Sequence, residues 1–300
     1  MASLRRVVLT VVNVAAFAND KLKLKSEREK RMQKDFKVTS QNNVWFGYFT
    51  RFEQAGFTTA CSARLHGESD IVPGTLNLAL HVGDNPEKVL RNRQKFAEAI
   101  GVKAERFTTC AQVHGSKVQV VSECLIGSGA LSFAGTVPET DALITNLADV
   151  PLLLFYADCV PVLLADPETG AIGLAHAGWR GTAAQIAKKT VSAMTEVFSV
   201  RPENLLAAIG PSIGGCCYEV DDVVRNEMPD YESCFMAKCD GKYWLDLWQV
   251  NRQQLMEAGV APSRISVAGV CTNHNPELFC SYRYENGRTG RMGVCLCRKG

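Results

Sequence analysis

Three short stretches carry side chains able to hold a metal ion: Gln112-Val113-His114-Gly115, Ala157-Asp158-Cys159-Val160-Pro161 and His176-Ala177-Gly178-Trp179-Arg180-Gly181. Each sets one nitrogen or sulfur donor at the end of an apolar run. Three such donors suit zinc and leave the fourth tetrahedral position open, as in a catalytic rather than a structural site. Next to the last of them, Gly178-Trp179-Arg180-Gly181-Thr182 has the makings of an anion site. Glycines let the backbone approach closely, a helix start offers free N–H groups, and a guanidinium can take two phosphate oxygens at once. The same glycines equally suit a tight strand-to-helix turn with Arg180 in solvent. Asp158, directly before Cys159, is the nearest candidate general acid or base, acting toward the open position or by orienting a ligand histidine.

The elements that must position these donors are partly legible. Residues 160–165 and 171–175 read as buried strands, and Asp166-Pro167-Glu168-Thr169-Gly170 between them carries turn residues at both ends. With Ala165 opposite Ala171, Val160 falls opposite His176, so Cys159 and His176 meet within about one residue of register, roughly 5 Å apart. A lone cysteine in an apolar strand is usually a small core residue, and a lone histidine beside glycine usually satisfies itself locally; the shared hairpin is what favours a joint site. His114 ends an alternating segment, residues 107–113, and Gly115-Ser116 allows a turn into a strand over residues 117–121. Helices are expected from Asn85-Pro86-Glu87 to Gly101, over residues 182–198, and over residues 250–258 with Gly259 closing the last. Glu219 and Asp246 could equally be helix caps or site contacts. No repeat or linker divides these elements, so they read as one α/β unit with mixed strand directions.

The order of Thr75-Leu76-Asn77-Leu78, Val82-Gly83-Asp84, the QVHG, ADCVP and HAGWRGT segments, Gly210-Pro211 with Tyr218-Glu219-Val220, Leu245-Asp246-Leu247, Cys271-Thr272 and Ser281-Tyr282-Arg283 closely resembles the laccase-domain family, also called the polyphenol-oxidase-like or purine nucleoside phosphorylase family. The resemblance runs from about Val44 to the C-terminus. It implies an α/β layered sandwich of two mixed β-sheets covered by helices, with zinc on His114, Cys159 and His176 and copper as the alternative ion. It also implies phosphorolysis of inosine-, guanosine- and adenosine-type nucleosides, S-methyl-5'-thioadenosine included, and deamination of adenosine. Arg64 and Asn77 are nucleoside or phosphate contacts on the same ground, whereas the phosphate role of Arg180 is read from its glycine-flanked helix start alone. Two stretches depart from the family pattern. Residues 62–70 stand where a Gly-Gly-Val-Ser-like segment is usual, so the substrate loop is expected to differ, and Phe279-Cys280-Ser281-Tyr282-Arg283-Tyr284 lacks the usual second aromatic and second arginine, so no catalytic role is assigned to it.

Composition agrees with an enzyme of small molecules. The chain has 300 residues, 46% hydrophobic and 21% charged, enough for a sizeable core. Its 33 basic and 31 acidic residues leave a net charge of +2, which offers no general attraction for nucleic acid or membrane. The expected partners are purine nucleosides and phosphate, and the expected state is a monomer. Twelve cysteines in a chain of this size, largely in apolar surroundings, point to a reducing cytoplasm rather than a disulfide framework. Cys216-Cys217 and Cys295-Leu296-Cys297 lack the spacing of a zinc ribbon or a thioredoxin-like motif and read as structural. Residues 1–43 form a basic N-terminal extension. Its Arg5-Arg6 and apolar residues 7–18 have a signal-like order, but Asn13 interrupts the run, and Met32 offers another start.

Three rival readings stand beside the zinc enzyme. Cys159 and His176 could form a metal-free thiolate–imidazolium pair, as in a cysteine amidase or deamidase. An oxidoreductase with several copper centres would need more imidazoles than the five histidines present, His66, His81, His114, His176 and His274. A binding or quality-control role on cell-wall precursors, attached to bacterial members of the family, would show muropeptide-like ligands without nucleoside turnover.

Overall fold

The structure, a computed structural model, describes residues 35–300. The signal-like segment and Met32 lie outside the described residues. The boundary at Val44 moves, because Phe36–Gln41 (β1) is a strand, paired antiparallel with Val44–Phe49 (β2). Between them Asn42 and Asn43 both take left-handed backbone, φ +51° and +63°, the conformation a two-residue hairpin turn requires.

The other strands are Phe57–Ser62 (β3), Val118–Val120 (β4), Ala142–Thr145 (β5), Leu152–Tyr156 (β6), Val160–Ala165 (β7), Ile172–Ala177 (β8), Leu206–Ile209 (β9), Glu219–Val220 (β10), Phe235–Ala237 (β11), Tyr243–Leu245 (β12), Ile265–Val267 (β13) and Met292–Arg298 (β14). One sheet has the order β1-β2-β3-β14-β6 and is antiparallel throughout. The other, β13-β9-β7-β8-β5-β4, is mixed, because β13 runs parallel to β9 and β4 to β5. A small antiparallel sheet, β10-β12-β11, completes the strands.

The two large sheets pack face to face. Leu152, Leu154 and Tyr156 of β6 and Val294 and Leu296 of β14 share one core with Leu163, Ala165, Ile172 and Leu174 of β7 and β8. Side chains alternate across a strand, so the intervening residues point the other way. Val160, Val162 and Leu164 meet residues of Ile186–Phe198 and Leu247–Glu257, while Leu153, Phe155 and Cys295 meet Phe96 and Ala97 of Pro86–Ile100. Both faces of each sheet are covered, which is why β6 and β7 read as unbroken apolar runs. The layered α/β sandwich expected from the resemblance is what the chain forms. Several cysteines lie inside it: Cys61 on β3, opposite Val294, and Cys295 and Cys297 on β14 are all buried. No helix among the described residues is long and apolar enough to cross a membrane.

The α-helices among the described residues are Thr50–Gln54 (α1), Pro86–Ile100 (α2), Trp179–Ala183 (α3), Ile186–Phe198 (α4), Asp222–Asn226 (α5) and Leu247–Glu257 (α6). α2 begins and ends where expected. The Asn85 side chain accepts from the Glu87 and Lys88 N–H groups, and Gly101 closes it at φ +73°. The single helix expected over residues 182–198 is two, split at Gln185, whose backbone is left-handed at φ +59°. α6 starts at Leu247, ahead of residue 250, because the Asp246 carboxylate caps it by accepting from the Gln249 N–H. Glu219 caps no helix; it lies on β10 and pairs with Lys238 and Lys242.

β7 and β8 form the expected hairpin, one residue out of the expected register. Ala165 faces Ile172, Pro161 faces His176 and Val160 faces Ala177. The turn is the cause. Asp166 donates its N–H to the Ala171 carbonyl, extending the ladder, and its carboxylate accepts from the Glu168 and Thr169 N–H groups and from Thr169 Oγ1. The loop is thereby shortened to residues 167–170. Residues 107–113 are no strand: Thr108 and Cys110 make only isolated bridges, to Leu152 and Val137.

Candidate active site

His114, Cys159 and His176 come together, their donor atoms all within 4.8 Å of one another. His176 lies on β8, Cys159 immediately before β7, and His114 on the loop ahead of β4 with a left-handed backbone, φ +61°. The two imidazoles meet edge to face with ring centroids 4.8 Å apart. Tyr156 backs His176 at 5.4 Å and donates its hydroxyl to the Ala175 carbonyl at 3.1 Å. The glycines of HAGWRG answer to crowding. A Cβ on Gly178 would stand 3.0 Å from His114 Cδ2 and 3.1 Å from Cys159 Sγ, and one on Gly181 would stand 2.9 Å from the Gly115 carbonyl oxygen.

One residue that builds this cluster went unseen in the sequence. Asp141, fully buried just before β5, places Oδ1 2.9 Å from His176 Nδ1. The same carboxylate accepts from the backbone N–H groups of His114 at 3.0 Å, Gly115 at 2.7 Å and Val113 at 3.2 Å. It thus holds both the loop that carries His114 and the ring of His176. With Nδ1 bonded to a carboxylate, Nε2 is the ring nitrogen that could serve as a donor to a metal, the usual arrangement for ligand histidines.

Charge follows the geometry. Burial pushes the Cys159 thiol up, but attraction to His176 and hydrogen bonds from both histidines outweigh it and bring it down to about 6. Burial would lower His176, yet the Cys159 sulfur and Asp141 raise it to about 9. The Asp141 carboxyl, raised by burial, is carried below its usual range by the His176 hydrogen bond and charge and by the loop N–H groups. The cluster therefore favours an ionised sulfur beside an imidazolium, whose proton a bound zinc ion would displace.

The other expected residues take varied places. Asp158 is only 8% exposed, its backbone is at φ +80°, and its carboxylate is hydrogen-bonded to groups other than the histidines. Thr272 Oγ1 donates to Oδ1 at 2.6 Å and the Arg283 N–H to Oδ2 at 2.7 Å. Orientation of His176 therefore belongs to Asp141, not to Asp158. Arg180 is exposed, with its guanidinium 4.2 Å above the Trp179 ring. α3 has only five residues, so the helix start adds little to whatever Arg180 attracts. Arg64 is buried: it donates to the Pro276 and Phe279 carbonyls and pairs with Glu285 at 2.7 Å. Asn77 is fully buried and its amide is engaged on both sides, donating to Ala79 O and Asp84 and accepting from the Ala79 and Arg291 N–H groups. The Arg64 terminal nitrogens and both atoms of the Asn77 amide are thus committed to partners within the chain.

Three more residues near the cluster were not singled out. Tyr218 lies within electrostatic reach of Cys159, Asp158 and Arg180, and burial pushes its phenol up. Arg283 lies over the Tyr218 ring at 5.3 Å and donates twice to the Glu219 carbonyl, so the segment set aside as non-catalytic helps wall the site. His81 interacts electrostatically with His114 and His176 and lies 5.5 Å from the exposed Phe133 ring.

The sequence model of the family described as multi-copper polyphenol oxidoreductase laccase matches residues 58–299. The chain belongs to this laccase-domain family. It is 42% identical to the protein named purine nucleoside phosphorylase YlmD of Geobacillus stearothermophilus, over 82% of this chain and 91% of that one. It is 38% identical to the protein of the same name from Bacillus subtilis, over 87% and 91%. Among solved structures, YlmD from Geobacillus stearothermophilus superposes with a TM-score of 0.82 at 40% identity, covering 85% of this chain and 96% of that chain. The Bacillus licheniformis hypothetical protein YfiH gives a TM-score of 0.82 at 34% identity over the same shares. Other laccase-domain members thus share the sandwich as well as the sequence.

Proposed function

We propose that the chain is a zinc-dependent purine nucleoside enzyme that cleaves inosine-, guanosine- and adenosine-type nucleosides with phosphate and deaminates adenosine. The observation that carries this reading is the His114–Cys159–His176 cluster with Asp141 on the outer nitrogen of His176. Relatives named purine nucleoside phosphorylase support the substrate class. The residues fit the metal: two imidazoles and a sulfur that ionises readily converge from one side, and glycine at 178 leaves room beside them. Zinc held there would supply a Lewis acid to the reacting group.

The chain's own residues supply the rest. Arg180 is the proposed phosphate contact; it is exposed, and Tyr218 interacts electrostatically with both Arg180 and Cys159. Asp158 is the proposed proton carrier. Burial raises its carboxyl above the usual range despite the hydrogen bonds from Thr272, Arg283 and Ser281, so it holds a proton more readily than a solvated aspartate. His81 and Phe133 form an aromatic pair beside the metal ligands on which a purine can stack.

The deciding experiment follows products of inosine and adenosine by chromatography, with and without phosphate. Arg180→Ala is expected to reduce hypoxanthine release from inosine by tenfold or more, about 1.4 kcal/mol or above, while adenosine deamination falls less. Base release without phosphate would show hydrolysis instead. Equal loss of both activities in folded, metal-loaded Arg180→Ala would place this arginine in a shared nucleoside pocket. A second reading draws on the Cys159 and His176 values of about 6 and about 9, which in a metal-free chain describe a thiolate–imidazolium pair suited to amide hydrolysis. Full activity after exhaustive chelation would favour it.

A further inference from the structure

A second group of donors lies on the loops that follow β9 and β13. Cys216, Cys217, Cys271 and His274 bring one sulfur or nitrogen each to within 4.8 Å of all the others. We propose that these four side chains form a separate, structural zinc site of three thiolates and one imidazole.

The chemistry is that of a closed site. Cys₃His is a common structural zinc set, and with four protein donors no position remains for substrate. A tetrahedral zinc, with bonds of about 2.3 Å to sulfur and about 2.0 Å to nitrogen, spaces its donors roughly 3.5–3.8 Å apart. Cys216 Sγ and His274 Nδ1 are already 3.6 Å apart, so the group needs only a small contraction. The backbone is shaped for it. Gly214 and Gly215 make a turn in which the Cys217 and Tyr218 N–H groups return to the Gly214 carbonyl, and a Cβ at Gly214 would stand 3.1 Å from Cys216 Sγ. The Gly214 N–H points at Cys271 Sγ at 3.3 Å, the kind of contact that stabilises a metal-bound thiolate. On the opposite loop, Asn275 donates Nδ2 to the Cys271 carbonyl and its N–H to Thr272 O, curling His274 back over Cys271.

The site has a structural purpose. The two loops touch otherwise through the Ser212–Cys271 bridge and the Thr272 N–H to Ser212 O bond. They carry the Thr272 hydroxyl that holds the Asp158 side chain and the Ile213 N–H that holds its carbonyl. Zinc across them would pin the backbone next to Cys159 while each thiol gives up its proton to solvent.

Metal counting on the full chain tests this independently of the catalytic reading. Wild type is expected to hold two zinc ions per chain by elemental analysis. The His114→Ala/Cys159→Ser/His176→Ala variant is expected to keep one, and Cys271→Ser/His274→Ala to keep one as well. Cobalt loaded into the first variant, where the second group is intact, should show strong thiolate-to-cobalt absorption with tetrahedral d–d bands. A single ion in wild type, one in the first variant and none in the second would uphold this site and defeat the catalytic one. A metal-free first variant that also takes up no cobalt overturns the proposal without relying on the folding of any variant in the Cys216 group.

Discussion

At the scale of single residues, the chemistry of the site was readable and its support was not. QVHG, ADCVP and HAGWRG announce their donors because each stands at the end of an apolar run. Asp141 does not, since Glu139-Thr140-Asp141 reads as an ordinary polar turn before a strand. Its importance arises only when backbone N–H groups 26 to 28 residues away and a ring 35 residues away converge on it. Likewise Cys216 and His274 are 58 residues apart, so no local spacing reveals them. Asp141→Asn is a sharp probe. An amide offers one accepting oxygen where the carboxylate offers two, so it can keep the Oδ1 partners, His176 Nδ1 and the His114 N–H, or the Oδ2 partners, the Val113 and Gly115 N–H groups, but not both sets. Zinc affinity is expected to fall 10- to 100-fold, as for other changes behind a ligand histidine, measured by competition with a chromophoric chelator. Unchanged affinity in Asp141→Asn would remove Asp141 from the metal site.

Among elements, what the sequence reading missed was backbone geometry. The hairpin β7–β8 was legible from its two apolar runs, yet its register turned on whether Asp166 belonged to the loop or the ladder, and that depended on one carboxylate folding back onto its own turn. Gln185 split a helix for which the apolar periodicity gave no warning. The loop between β3 and α2 is organised similarly, around Asp84. Ser69 Oγ at 2.6 Å, the Asp70 N–H at 2.9 Å, Asn77 Nδ2 at 2.9 Å and the Asn85 N–H at 2.9 Å all donate to it. Burial alone would raise this carboxyl, but those donors outweigh burial and hold it below its usual value of 3.8. The folded chain therefore binds the proton less readily than the unfolded chain, whose aspartates titrate near about 3.9. This stabilisation is complete above that pH and is lost as the pH falls through the lower, folded value. Urea midpoints should accordingly drop on acidification below about pH 4, and Asp84→Asn should be less stable at pH 7 with a shallower acid decline. An identical decline in the variant would mean other carboxylates carry it.

For the whole molecule, the resemblance foretold the sandwich, and the pattern of apolar runs agreed with it, because strands covered on both faces leave a long hydrophobic signature. The edge of the first sheet was lost for the opposite reason: β1 is short, half-exposed and preceded by a basic stretch. It is nevertheless part of the fold. Phe36 is 2% exposed and packs tilted against Phe49 with centroids 5.0 Å apart, and Asp35 accepts hydrogen bonds from Ser266 Oγ, Thr50 Oγ1 and the Arg51 N–H. A chain beginning at Val44 is expected to be less stable than one beginning at Lys34 by more than about 2 kcal/mol, since burying one phenylalanine alone contributes about 1.5–3 kcal/mol. Matching urea midpoints for the two would show that β1 is dispensable.

The thiols laid into this sandwich give the molecule a chemical memory. Burial pushes Cys61, Cys110 and Cys295 far above the ordinary thiol range and Cys297 up to about 12, so almost none is present as the reactive thiolate. Oxidants and alkylating agents can reach Cys61 and Cys110 only when the two large sheets part, and Cys295 only when α2 lifts from its sheet. Each modified interior sulfur would then be the permanent trace of one opening, and the rate at which such traces accumulate in a folded sample would measure how often the sandwich comes undone.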